Sequence, residues 1–347
     1  MVEVWGLEIA VEYVNLGKAG VKVSRICLGC WSYGNSAEWM IEVKEAKPIL
    51  ERAIDLGITF FDTANSYSRG RSEEILGEIV RGRRDDLVIA SKVCWPLSDR
   101  PNDRGLSRIH IMQQVQASLK RLQTDHVDLY QMHRWDYETP IEETMRTLDD
   151  LVRNGMTRYI GASSMWAWQF LKALHTSDRL GLERFISMQN YYNLCYREEE
   201  REMIPLCRDQ GIGLIPWSPL ARGFLTGKYG REKQPDSARY RSDRLLAEGY
   251  FTPEDFDILE EVLVVAKEKG VTASQIALAW LLHKGVVAPI VGATKIEHVE
   301  QAVEALTVRL NSDDIRRLEA PYKPRPVTGH RPARTDATES RFAENMD

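Results

Sequence analysis

One pattern constrains the fold of this chain more than any other, and it recurs eight times. Each copy is a short, nearly continuous apolar run, then a polar loop, then a stretch with helical spacing. The runs are Ile26–Cys30, Ile58–Phe61, Leu87–Ala90, Val127–Met132, Arg158–Ala162, Phe185–Met188, Gly213–Pro216 and Val286–Val291. A strand with one wet face alternates polar and apolar residues. Most of these runs do not, so they read as parallel strands buried on both faces. Between them, Ile49, Leu50, Ala53 and Ile54 share one helical face. So do Ile111, Val115, Leu119 and Leu122, and also Ile141, Met145, Leu148 and Val152. Asp55-Leu56-Gly57, Arg153-Asn154-Gly155 and Gln210-Gly211 read as helix ends. Alternation of strand and helix predicts an α/β fold with right-handed crossovers. Eight such units predict a closed (β/α)8 TIM barrel, with an open doubly wound sheet as the alternative.

Two segments break the rhythm. Tyr13–Leu16 and Val21–Arg25 flank Gly17-Lys18-Ala19-Gly20, which predicts a β-hairpin ahead of the barrel, plugging its bottom. Between the seventh and eighth runs the spacing roughly doubles. There Leu220–Glu248 reads as a long charged loop, followed by helices over Asp255–Lys269 and Ala273–Lys284, one more than the barrel needs. Pro216 and Pro289 sit inside two proposed strands, which proline permits only at strand ends or where the ladder is irregular. The barrel is expected to occupy residues 1–322 as one domain. The Pro-, Arg- and Thr-rich tail from Lys323 has little apolar content, and its last half is expected to be flexible.

Composition narrows the function. With 43% hydrophobic and 28% charged residues the chain can fill a large core, so wholesale disorder is excluded. A net charge of −5 argues against nucleic acid as the main partner. No apolar run approaches the roughly 18–20 residues of a membrane span. The first residues carry acids and no basic lead into an apolar core, which predicts no secretory signal and a cytoplasmic location. Five scattered cysteines do not make a disulfide scaffold. Cys27 and Cys30 form a lone C-x-x-C inside an apolar run, which reads as buried strand thiols, and no metal site is expected.

In a barrel the chemistry gathers at the C-terminal strand ends. After the second run come Asp62 and Tyr67, after the third Lys92, and after the fourth His133. Read singly, Asp62 is equally a helix N-cap, Tyr67 a packing ring and His133 a core histidine. Lys92 is harder to place, because a lysine ending LVIAS needs a carboxylate partner. Together they have a logic. A buried ammonium beside a phenol favours the phenolate and lowers its pKa. An aspartate keeps the ammonium charged, the phenol then serves as a general acid, and a neutral imidazole can donate to a carbonyl oxygen. Such a set protonates the alkoxide that hydride delivery to a carbonyl produces.

Other strand ends carry Trp31, Ser163 and Ser164, Gln189, Trp217 and Ser218. Trp217 could offer an aromatic face to a nicotinamide. Trp31, Trp95, Trp135 and Trp166 either line a pocket or fill core. No G-x-G-x-x-G opens a βαβ unit and no Walker A sequence is present. The last loop instead offers Gly292-Ala293-Thr294-Lys295 ahead of a helix from about Glu297, a place where barrels hold phosphate. Lys295 reads either as part of that site or as a solvated surface lysine. Arg222, Lys228, Arg239 and Arg241 make the long loop locally basic.

These segments resemble the aldo-keto reductases. GITFFDTANSYSRGRSEEILGEIV looks like the family motif around its catalytic Asp and Tyr, ASKV like its lysine strand and VDLYQMHRWD like its histidine strand. GASS, MQNYYNL, PWSPLARGFLTGKY and VGATKIEHVEQAVEAL resemble its cofactor segments, in order. The resemblance spans roughly Tyr13 to Leu318 and is nearest to the bacterial, archaeal and fungal oxidoreductase branch. It implies a barrel binding NADP(H) without a Rossmann fold, with Asp62, Tyr67, Lys92 and His133 as the tetrad and Tyr67 as proton donor. It further implies cofactor contacts from Trp31, Ser163, Ser164, Gln189, Trp217, Ser218, Leu220, Gly223, Leu225, Lys228, Gly292, Thr294, Lys295, His298 and Gln301. The chain departs from the family where Ser164 replaces a common Asn and His298 a Gln. It departs again where Gln301-Ala302 replace Glu-Asn and Lys295 an Arg. The expected activity is NADPH-dependent reduction of small aldehydes or ketones. A non-catalytic cofactor-binding barrel and a lyase forming a Schiff base on Lys92 are the alternatives. Some relatives form oligomers, so a homo-oligomer is compatible with the sequence.

Overall fold

The computed structural model describes residues 2–4, 7–9, 11–232 and 236–331. The chain opens with two antiparallel pairs: β1 (Val2–Val4) with β2 (Leu7–Ile9), and β3 (Tyr13–Asn15) with β4 (Lys22–Ser24). Eight parallel strands follow. They are β5 (Cys27–Gly29), β6 (Phe60–Asp62), β7 (Val88–Val93), β8 (Val127–Met132), β9 (Thr157–Ser163), β10 (Phe185–Gln189), β11 (Gly213–Leu214) and β12 (Ile290–Gly292). Their order is β11-β10-β9-β8-β7-β6-β5-β12. Backbone bonds from Val287 N–H to Leu214 O (2.9 Å) and from Ile290 N–H to Pro216 O (3.0 Å) bring the two ends together. The architecture is the expected (β/α)8 barrel. Pro216 and Pro289 both lie on this seam, where the ladder is thin and a missing N–H costs little.

Helices separate the strands on the outside: α1 (Val43–Asp55), α2 (Arg71–Val80), α3 (Arg108–Leu122), α4 (Ile141–Arg153), α5 (Ala167–Leu180) and α6 (Met203–Gln210). Each buries its apolar stripe. In α4, Ile141, Met145, Leu148 and Leu151 face the sheet. The segment expected as a bare loop over 220–248 is partly helical. It contains a kinked 3-10 turn at Ala221–Thr226, then α7 (Ala238–Ser242) and α8 (Arg244–Gly249). Asp243 explains this order: it caps α8 and takes Arg222 at 2.7 Å and Arg239 at 3.3 Å. Next come α9 (Pro253–Lys269) and α10 (Ala273–His283), each started by a threonine capping box. The chain continues through β12, α11 (Ile296–Glu304) and α12 (Ser312–Glu319). No helix among the described residues is long and apolar enough to cross a membrane.

Residues 322–331 run back over the barrel. Glu198 receives the Tyr322 hydroxyl at 2.5 Å and the Arg325 N–H at 2.9 Å, and Tyr137 donates to Arg331 O at 3.2 Å. The tail half expected to be flexible lies outside the described residues.

The β3–β4 hairpin closes the N-terminal end of the barrel. Leu16 and Val23 are fully buried against Cys27, Phe60, Ala90, Leu129, Ile215 and Ala288. Lys18 N–H anchors the turn on Gly211 O at 2.9 Å. Gly17 makes the approach possible: its φ is +62°, and a Cβ there would meet Gly211 O at 2.6 Å and Gly213 N at 2.7 Å. Gly17→Ala is therefore expected to destabilise the protein by about 3 kcal/mol in guanidinium unfolding. Gly20→Ala, where a Cβ meets nothing within 4 Å, is expected to change stability by less than about 0.5 kcal/mol.

Candidate active site

The sheet register builds the site. Gly29 pairs with Asp62, Asp62 with Ala90, Lys92 with Gln131, and Gln131 with Gly161. Polar side chains thus leave several strands at one height near the C-terminal end. Lys92 is completely buried and all three of its N–H groups are used. They reach Asp62 Oδ2 at 2.6 Å, Thr63 O at 2.9 Å and the Tyr67 hydroxyl at 3.0 Å. Burial alone would lower the lysine pKa, but Asp62 and Tyr67 outweigh it and leave it raised. The ammonium is charged.

For Tyr67 the balance runs the other way. Burial pushes its phenol above the ordinary value, although Lys92 and Arg134 pull it down. This corrects the expectation that Lys92 leaves the phenol lowered. The tyrosine is fully protonated at neutral pH.

His133 continues the row. Its ring meets Tyr67 edge-on, with centroids 5.8 Å apart, and Trp95 edge-on at 6.0 Å. Burial, then Arg134 and Lys92, hold its pKa well below the ordinary histidine value, so the imidazole is neutral. Asp62, read either as a helix cap or as the carboxylate partner of Lys92, ends a strand and caps no helix.

The opposite oxygen of Asp62 is also occupied. Gln189 Nε2 donates to Oδ1 at 2.8 Å and Gln131 Nε2 at 3.1 Å. Gln131 was not singled out by sequence. Its signal is the inward alternation Val127, Leu129, Gln131, His133 along one strand and its loop. Gly161 leaves room for it: a Cβ there would lie 3.2 Å from the Gln131 side chain and 2.4 Å from Ser187 Oγ.

A second set gathers beside this row. Ser163 Oγ donates to Gln189 O at 2.8 Å, and Ser164 Oγ receives Trp217 Nε1 at 2.9 Å. Trp217 stacks on Tyr191 at 4.1 Å and 7°, and Tyr191 stacks on Tyr196 at 4.3 Å. No sequence pattern signals this three-ring platform, because its members come from different loops. Asn193 Nδ2 donates to the Ser218 carbonyl oxygen at 3.0 Å.

Leu220, Gly223 and Leu225 lie in or beside the kinked turn, with Leu225 buried. Arg222 stacks over Trp31 at 4.4 Å, and Trp31 lies 4.9 Å from Trp39. Arg239 covers Trp39 at 4.6 Å. The basic loop is thereby fastened to the loop after β5. Arg241 pairs with exposed Asp236 and lies 3.9 Å from Glu38 of that same loop.

The remaining residues surround the start of α11. Gly292, Lys295 and His298 are exposed, and Thr294 and Gln301 are half-buried. Thr294 N–H donates to His298 Nδ1 at 3.3 Å. Partial desolvation of the ring, then Lys295, lowers the His298 pKa, with Lys228 and Arg239 adding to the effect. Cys27 and Cys30 are buried thiols in and after β5, pushed up chiefly by burial.

Backbone conformation marks the same rim. Of the eight described non-glycine residues with positive φ, six are Ser68, Arg69, Ser164, Ser218, Ala221 and Arg222. All follow strand ends that carry the polar row or the platform, and such strain concentrates at functional sites.

Comparison with known proteins points to one family. The model of the Aldo/keto reductase family matches residues 25–323. A Schizosaccharomyces pombe protein with a provisional aryl-alcohol dehydrogenase name is 43% identical over 345 residues, covering 91% of this chain and 97% of its own. Versiconal hemiacetal acetate reductase of Aspergillus parasiticus is 41% identical over 339 residues, covering 91% and 98%. An aldo-keto reductase of Fusarium vanettenii is 40% identical over 350 residues, covering 92% and 93%.

The buried pair gives a stability test. Asp62→Asn leaves Lys92 enclosed without a counter-ion and is expected to cost about 3–5 kcal/mol at pH 7 in denaturant unfolding. Because the folded pKa of Lys92 is raised above its ordinary 10.5, its stabilisation is present below that value and lost as pH rises through the folded one. The difference between wild type and variant should hold from pH 7 to 10 and shrink above it.

Proposed function

The chain belongs to the aldo/keto reductase family and is an oxidoreductase, and we propose that it reduces aldehyde or ketone carbonyls with NADPH, using Tyr67 as proton donor. The observation that carries this reading is the Lys92 ammonium, spent on Asp62 and Tyr67, with a neutral His133 ring beside the phenol. A substrate carbonyl oxygen reaching both Tyr67 and His133 meets an acid and a neutral donor. When bound, the nicotinamide supplies hydride to the carbonyl carbon. Tyr67 releases its proton to the oxygen as negative charge develops there. Lys92, already bonded to that hydroxyl, stabilises the phenolate left behind. Asp62 keeps Lys92 charged, and Gln131 and Gln189 keep Asp62 in place. His133 orients the carbonyl.

The other strand-end residues suit the cofactor. Around His298 stand Lys295, Lys228 and Arg239, with Glu297 as the carboxylate. That excess of cations fits a phosphate. Gly223 leaves a cradle that a Cβ would fill, 3.2 Å from the Lys228 ammonium. Gln189, Ser163, Ser164 and Trp217 would hold the nicotinamide end, with Trp31 nearby. Ser218, Leu220, Gly223, Leu225 and Lys228 would hold the pyrophosphate. Gly292, Thr294, Lys295, His298 and Gln301 would hold the adenosine phosphate. Trp95 beside His133 favours an apolar substrate. The Schiff-base alternative is disfavoured, because it needs a neutral amine and Lys92 is held as a cation.

Two outcomes test the reading. Tyr67→Phe should bind NADPH as the wild type does, by tryptophan fluorescence titration, and should lose about 10²-fold or more in kcat. Full activity in that variant would remove the mechanism. Lys295→Ala should weaken NADPH by about tenfold more than NADH in the same titration, as expected for losing a charge-assisted phosphate contact. Equal weakening would place the 2′-phosphate elsewhere.

A further inference from the structure

Arg134 follows the histidine strand and is only 4% exposed. Its Nη1 donates to His133 O at 2.6 Å and lies 3.4 Å from Ser163 Oγ. The guanidinium sits between two indoles, 5.6 Å from the Trp95 ring and 5.8 Å from that of Trp217. Among the described residues no carboxylate lies within ion-pair reach of it. Asp136, two residues on, spends its oxygens on Leu106 N–H, Glu138 N–H, the Thr139 hydroxyl and Arg331. A buried cation without a partner is costly, and buried arginines are ordinarily paired.

The surroundings show where that charge acts. His133 is faced by Tyr67 and Trp95, with Lys92 behind the phenol and Arg134 adjacent in the chain. Lys92 and Asp62 cancel one another. Tyr67 is a neutral phenol, and Cys94, buried nearby, is a neutral thiol. Arg331 and Asp136, which also act on Cys94, offset one another, so among the described residues the pocket carries one net positive charge, and Arg134 supplies it.

We propose that Arg134 is a positioning residue for the reaction: its unpaired guanidinium sets the charge of the pocket in which Tyr67 and His133 work, and ties His133 to Ser163. The proposal rests on the carbonyl-reductase reading for its purpose, though not for its measurement. A fixed positive charge opposes a second one on His133, so the imidazole stays a neutral donor. It also favours negative charge on Tyr67, and so assists release of the phenolic proton. Burial draws the guanidinium down to about 10, which leaves it charged at neutral pH. Arg134 is among the causes that lower His133 and oppose the rise of Tyr67.

The test uses the full chain with Arg134→Gln, which keeps a donor without the charge, and Arg134→Lys, which keeps the charge without the fork. In cofactor-free protein, the His133 imidazole signal is followed by NMR against pH and assigned by its loss in His133→Asn. Arg134→Gln should move its midpoint up by about one pH unit, and Arg134→Lys should not. Where substrate turnover is measured, both limbs of the kcat/KM profile should move to higher pH in Arg134→Gln, since removing a positive charge raises both groups. A curve that falls in height without moving, an unmoved His133 midpoint in Arg134→Gln, or an equal movement in Arg134→Lys would overturn the proposal. A shifted midpoint in a protein that reduces no carbonyl would keep this inference and remove the reductase reading instead.

Discussion

Lys92 is the point on which the upper barrel depends. An ammonium with no exposure must find three acceptors, and it finds them on Asp62, Thr63 and Tyr67. Those acceptors lie in the Asp62–Tyr67 segment, so a single side chain fixes the end of β6 and the loop after it. The second oxygen of Asp62 then draws in Gln131 from β8 and Gln189 from β10. One buried charge thus organises four strand ends. The same bonds that make the lysine tolerable in a low-dielectric interior align the groups that the proposed proton transfer uses. In the proposed reaction, stability and proton transfer would both draw on the Lys92–Asp62 contact.

The barrel accommodates its functional loops at its weakest place. β11 has two residues, β12 has three, and both are preceded or followed by proline. Between them the chain leaves for α7, α8, α9 and α10. A thin seam can accept such an excursion, because few ladder bonds are lost there. The excursion is then pinned from outside by Asp243 with two arginines, and by those arginines on Trp31 and Trp39. The rim closes through side chains where the ladder is sparse.

The eight strands were legible because burial on both faces leaves a run of apolar residues that loops rarely mimic. Their ends were less so. Asp62 and Lys92 lie inside β6 and β7, not after them, because a polar residue can stay in a strand when a neighbouring strand supplies its partner. The need of Lys92 for a carboxylate was readable from burial alone. The platform of Trp217, Tyr191 and Tyr196 was not, since stacking joins loops that have no shared periodicity. α12 was missed although Asn311 and Asp314 form a capping box, because its eight residues bury only Asp314 and Leu318. The helical content of the 220–248 segment hides behind its charge, which serves internal pairs as much as solvent.

The raised phenol of Tyr67 shows why local electrostatic rules must be weighed against burial. A neighbouring ammonium favours the phenolate, yet enclosure disfavours any charge on the ring, and here enclosure wins. For the proposed reaction this ordering is useful. A general acid must arrive with its proton, and the alkoxide formed on a carbonyl is far more basic than a phenol. The proton therefore leaves when the substrate oxygen becomes negative, not before. At that moment the Lys92 contact, 3.0 Å from the hydroxyl oxygen, is already made, and no group has to reorganise to receive the new charge.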